Sequence, residues 1–200
     1  MTSLDILRLA LLYSHLLLCA FALQRVLSED WRLLMGQVDA TRLKDTLLVV
    51  PFLLAGLWVT GLAIAAIDTH LSWVEFAAKP KLQTKLLCLC VLTANGWALH
   101  HKVLKRLTNP RRIDAKTALG FGALGAISTI SWLFAAFLGV ARPLERHASF
   151  PEFVGLYAAS LGMALLGCLL VSKLVITRVR IAHIRVSSSL SPFTPLPRRD

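Results

Sequence analysis

Charged residues cut this chain into apolar stretches long enough to read as membrane helices. Residues 9–24 carry no charge between Arg8 and Arg25, and 46–67 is an unbroken apolar run. Residues 86–101 lie between Lys85 and Lys102, followed by uncharged runs at 117–141 and 153–172. A helix needs roughly 20 apolar residues at about 1.5 Å each to cross the hydrocarbon. The second, fourth and fifth runs meet that directly. The first and third meet it when flanking Arg and Lys side chains reach outward to the headgroups. The pattern predicts an all-α integral membrane bundle of five transmembrane helices. Its spans fall at about 5–26, 46–68, 84–103, 117–141 and 153–177, within one domain over 1–186.

Between the spans, Leu27, Trp31, Leu34, Met35 and Val38 recur at helical spacing. They predict a short surface helix within 28–45, with Trp31 at headgroup depth. Residues 68–83 and 142–152 carry aromatics and prolines that suit interfacial connections. Residues 173–186 alternate apolar and basic, and read as the basic end of the last helix. Residues 187–200 (SSSLSPFTPLPRRD) hold a serine cluster and three prolines, which predicts a disordered cytoplasmic tail.

Composition supports this class. The chain is 56% hydrophobic and 16% charged, with a mean hydropathy of +0.65. That excludes an ordinary soluble domain, in which about 25% of residues are charged. The formal charge of +11 would suggest nucleic acid in a soluble chain. Here the basic residues sit between apolar runs, where they face lipid headgroups, so the expected partner is the bilayer and not nucleic acid. Sixteen of the 22 Lys and Arg fall on one side of the predicted spans and six on the other. By the positive-inside rule the N-terminus is outside and the C-terminus cytoplasmic. Ala20-Phe21-Ala22 resembles a signal-peptidase site, but cleavage there would leave the following basic loop outside, against the charge rule.

Polar groups at membrane depth point to function, because each is costly unless partnered. Counting about 1.5 Å per residue from the outer edge puts His15, Thr60, Asn95 and Ser160 in one layer. A polar cluster centred on His15 and Asn95, with Thr60, is the expected site for a metal, haem or small ligand. For Thr60 and the serines, hydrogen bonding within and between helices is the simpler role. Haem fails the depth test for a histidine pair, since His100 lies roughly 9 Å below His15, leaving one-sided ligation by His15. For copper, the only methionines are Met1, Met35 and Met163, Cys88 and Cys90 point to different faces, and no C-x-x-C occurs. No nucleophile–base pair, phosphate-binding glycine loop or paired intramembrane carboxylate is visible, so no enzymatic machinery is assigned. Gly155/Ala159, Ala158/Gly162 and Ala135/Gly139 are spaced by four, which predicts close packing of the last two spans. The alternative function is a non-catalytic subunit or assembly factor docking another membrane protein.

Residues 54–66 (LAGLWVTGLAIAA) and 80–107 (PKLQTKLLCLCVLTANGWALHHKVLKRL) resemble the bacterial copper-resistance D (CopD-like) membrane domains. There a helix ending in T-G-L is followed by one that begins with Lys and carries Asn near its middle. Thr60, Gly61 and Leu62 match the first element, Lys85 and Asn95 the second. The resemblance implies a helical bundle in the bacterial inner membrane and an association with copper handling.

Reporter fusions test the orientation. Alkaline phosphatase joined after residue 78 should be active and joined after residue 186 inactive, with green fluorescent protein showing the reverse. The opposite pattern would invert the topology.

Overall fold

A computed structural model describes the backbone of residues 2–35, 40–107, 115–141 and 143–189. Its helices are α1 (Ser3–Leu34), α2 (Ala40–Thr69), α3 (Trp73–Ala77), α4 (Pro80–Leu107), α5 (Ala115–Val140) and α6 (Phe150–Ser189), with a 3₁₀ turn at Pro143–Arg146. Among the described residues, five helices are long and apolar enough to cross a membrane. α1, α2, α4 and α5 form a closed ring in which each packs on two neighbours, and α6 lies in the groove between α4 and α5. The end carrying the start of α1 is called the upper end below, and the opposite end the lower.

Each ring helix turns a stripe of period 3.6 inward. On α4 the buried residues are Lys81, Thr84, Cys88, Leu92 and Asn95. On α1 the stripe passes through His15, Cys19, Ala22 and Val26, and Ala22 is fully buried. The middle of the ring is filled by Ala22, Val26, Leu54, Leu57, Leu92 and Trp132. A second cluster of Cys88, Phe134, Leu138, Phe153 and Tyr157 joins α6 to the α4/α5 edge, where the Ser131 hydroxyl lies 2.6 Å from that of Tyr157. The outer faces are strongly apolar: Leu16, Phe21, Phe52, Val59 and Met163 are all exposed. Exposure on that scale suits lipid contact and not water.

Capping sets the upper helix starts. Thr2 and Asp5 exchange backbone and side-chain bonds at α1, and the Ser149 amide and hydroxyl both donate to Glu152 at α6. His70 and Leu71, at φ 48° and 57°, turn the chain sharply from α2 into α3. Gln83 donates to the carbonyls of Phe76 and Ala77, closing the end of α3 against α4.

Three expectations need correction. No separate surface helix forms at residues 28–34, which continue α1; residues 36–39 lie outside the described residues. No Gly or Pro interrupts the chain between Gln24 and Met35, and the inward stripe runs on in phase from Ala22 through Val26 to Asp30. The last two spans pack closely, as expected, and Ala135 joins the contact, but the glycines of the expected seam do not mediate it. A Cβ on Gly139, Gly155 or Gly162 would meet nothing within 4 Å, because aromatic residues bring α5 and α6 together. Finally, α6 reaches Ser189, three residues into the segment expected to be disordered. The remainder of 187–200 lies outside the described residues.

Candidate functional site

The upper half of the ring is held by polar ties between α1 and α2. Arg8 Nε donates to Asp68 Oδ1 at 2.6 Å and Nη2 to Oδ2 at 3.3 Å, a two-pronged ion pair. About two turns deeper, His15 Nδ1 lies 2.8 Å from Thr60 Oγ1. The Thr60 hydroxyl is also 2.8 Å from the Gly56 carbonyl. A hydroxyl carries one proton, and with it given to Gly56 the Thr60 oxygen accepts from His15 Nδ1–H. Nε2 of His15 is then left as the acceptor. Two glycines permit this closeness: a Cβ at Gly61 would lie 3.3 Å from His15 Cε1, and one at Gly56 would lie 3.0 Å from Leu18.

Lys85 enters the same space from across the ring. It is half-buried and lies within electrostatic range of His15 on α1. Cys19, Lys81, Asp68 and Glu145 also feel its charge. Lys81 is buried and reaches Glu145 at 3.5 Å. Asp68 is taken by Arg8, and its carbonyl accepts from Lys79. Among the described residues, Lys85 makes no ion pair or hydrogen bond. Its ammonium thus lies within range of His15, Cys19, Asp68 and Glu145 without a direct partner.

Of the residues anticipated from the sequence, His15 and Thr60 meet, while Asn95 binds elsewhere. The Asn95 amide donates to the Leu124 carbonyl of α5 at 2.9 Å. Trp58 Nε1 donates to Thr93 Oγ1. Thr60 therefore sits two residues above that contact and Asn95 two below, about 6 Å apart in rise. Ser160 bonds its own helix at the Leu156 carbonyl and lies outside the ring. The single layer thus resolves into a His15–Thr60 pair and, one turn lower, an Asn95 clasp between α4 and α5.

Three polar residues were not among the candidate site residues read from the sequence. Lys85 was read as a span boundary, although it belongs to the inward face of α4 with Lys81 and Cys88. Cys19 follows His15 by four positions, the spacing that puts both on one face. Asp30 continues that face, and Thr129 of α5 hydrogen-bonds its carboxylate. Asp30 lies beyond the predicted first span of about 5–26, and the longer α1 carries it half-buried against the middle of α5.

Neither a three-ligand metal site nor a two-histidine haem fits the geometry. Among the described residues, no three His, Cys, Asp or Glu side chains converge as a metal site. Lys85 beside His15 and Cys19 further opposes a cation. For haem, His100 falls seven residues below Thr93, about 13 Å below the level of His15, too far for two axial ligands.

A double-mutant cycle between His15→Ala and Thr60→Val should give a coupling of about 0.6 kcal/mol in a reversible detergent-unfolding assay. Asn95→Leu combined with His15→Ala should be additive to within about 0.5 kcal/mol. Strong coupling in the second cycle would place all three residues in one network.

Set against protein-family models, curated proteins and solved structures, this chain has no match among them.

Proposed function

We propose that this chain is a bacterial inner-membrane protein that binds a small anionic ligand between α1, α2 and α4. The upper end opens outside and the lower end faces the cytoplasm. The observation that carries this reading is the half-buried Lys85 ammonium, which makes no ion pair or hydrogen bond among the described residues. An unpaired charge at this depth is costly, and an incoming carboxylate or other oxyanion removes that cost. Lys85 supplies the charge, and His15 Nε2 accepts a hydrogen bond from the ligand's hydroxyl or acid group. Thr60 and Gly61 hold the imidazole in place. The elements that resemble the CopD-like domains take part directly: Thr60 and Gly61 seat His15, Lys85 faces it, and Asn95 ties α4 to α5 below. The donor set favours an anion over the copper that the resemblance implies.

Thermal unfolding of the purified protein with succinate, benzoate, phosphate and sulfate tests this reading. A ligand at a hundred times its Kd should stabilise by about 2.7 kcal/mol. Lys85→Met should lose the response while keeping helical content and monodispersity. Equal stabilisation of Lys85→Met, no response to any anion, or copper or a Soret band abolished by His15→Ala would each replace the proposal.

A second reading, a subunit that docks another membrane protein, is favoured by the exposed small residues of α6. Gly155, Ala158, Ala159 and Gly162 are exposed along one side of α6, with open space over both glycines. Small residues at that spacing let a second helix approach closely. A photocrosslinker at Ala159 in native membranes should give one discrete protein adduct, lost in Gly155→Leu and Gly162→Leu. Lipid adducts alone would leave α6 as a lipid-facing helix.

A further inference from the structure

The lower end of the α1/α2 seam carries a second set of polar groups that the upper site does not use. Nε of Arg25, Nε of Arg32 and Oγ1 of Thr46 are each buried and have no hydrogen-bond partner. Such buried orphans are rare in folded proteins, and each calls for a missing partner. Arg25 and Arg32 are seven residues apart, so they share one face of α1 about 10 Å apart.

The helix register places Thr46 between them. Arg8 meets Asp68, His15 meets Thr60, and Leu18 lies against Gly56. Continuing that antiparallel register sets Thr46 opposite residues 28–30 of α1, midway between the two arginines. The three orphaned groups therefore converge on one stretch of the seam.

Among the described residues, no acid neutralises them. Glu29 lies between the arginines in sequence, yet among the described residues it forms no ion pair with either. Asp30 is turned the other way, bonded by Thr129 of α5. Asp45 is exposed on α2. The first turns of α2 add the exposed cations Arg42 and Lys44. Among the described residues, what remains is two guanidinium Nε groups and a hydroxyl with no acceptor, at the end of a segment apolar enough to cross a membrane.

We infer that this seam binds a phosphate group, with Arg25 and Arg32 donating to its oxygens from α1 and Thr46 from α2. The tetrahedral oxygens of a phosphate suit two guanidinium forks converging from one face. A phospholipid headgroup supplies that chemistry at this level of the bilayer, and free phosphate supplies it from solution. The site is separate from the Lys85 pocket, so either can fail without the other.

The test uses the full-length protein, stripped of lipid in detergent. Dioleoylphosphatidylglycerol is titrated by native mass spectrometry, with dioleoylglycerol as the phosphate-free control and inorganic phosphate as the soluble probe. Wild type should bind the phospholipid and not the diacylglycerol. Arg25→Gln/Arg32→Gln should weaken this about tenfold or more, as expected for losing charge-assisted bonds. Thr46→Val should weaken it about threefold, in keeping with one lost neutral hydrogen bond, while Lys102→Gln leaves it unchanged. If the double variant does not fold, Thr46→Val and Arg32→Gln alone carry the test. Competition by millimolar inorganic phosphate identifies a soluble anion as a ligand, and its absence identifies the headgroup. Equal binding of diacylglycerol, or binding within twofold of wild type in the arginine and threonine variants, overturns the inference.

Discussion

The antiparallel register of α1 against α2 is the constraint from which both polar ends of the bundle follow. It is fixed at three heights: the Arg8–Asp68 ion pair, the His15–Thr60 hydrogen bond, and Leu18 against Gly56. Each contact needs close approach in hydrocarbon, where an unmet polar group has no water to turn to. Gly56 and Gly61 are the positions where a side chain would hold the helices apart. With the register set, the inward face of α1 carries His15 and Cys19 toward Lys85, and Asp30 toward α5. The same register aligns Thr46 with Arg25 and Arg32.

Helix number and approximate position were legible because continuous apolar runs dominate the sequence and hydrocarbon thickness fixes how long they must be. Helix ends were less legible. α1 runs past Arg25 and Arg32 because long cationic side chains do not stop a helix; a breaker does, and the first is Gly36. Treating charges as boundaries therefore hid Asp30 and Lys85, which sit on inward faces within helices. Counting from charged residues taken as helix ends likewise sets four polar residues in one layer. The packing joins His15 to Thr60 and sends Asn95 to the Leu124 carbonyl. Helical phase carried the missing information: Lys81, Lys85, Cys88, Leu92 and Asn95 share one face, as do His15, Cys19, Ala22, Val26 and Asp30.

Small residues show the converse error. Spacing by four marks where helices are able to approach, and it does not say which helix does so. Here the α5/α6 contact is made by Phe134, Leu138, Phe153 and Tyr157, with Gly122 close beneath Cys168. The glycines of α6 with open space over them face away from it. Aromatic packing outcompetes the glycine stripe because it removes far more surface from contact with lipid and adds the Ser131–Tyr157 hydrogen bond.

The two polar ends differ in kind, and the apolar plug between them sets what the bundle does with them. Above, acids and bases are nearly balanced, with Arg8, Lys79 and Lys81 each held by an oxygen acceptor and Lys85 left over. Below, Arg25 and Arg32 pair with no acid among the described residues. Ala22, Val26, Leu54, Leu57, Leu92 and Trp132 fill the ring between, with Trp132 only 2% exposed. A chain of polar groups is needed to pass a charge through hydrocarbon, and these six side chains supply none. Such a core suits binding at separate ends better than a continuous path. Movement of a ligand across it would require Trp132 to leave its place, which means opening the α1/α5 contact that Asp30 and Thr129 hold closed.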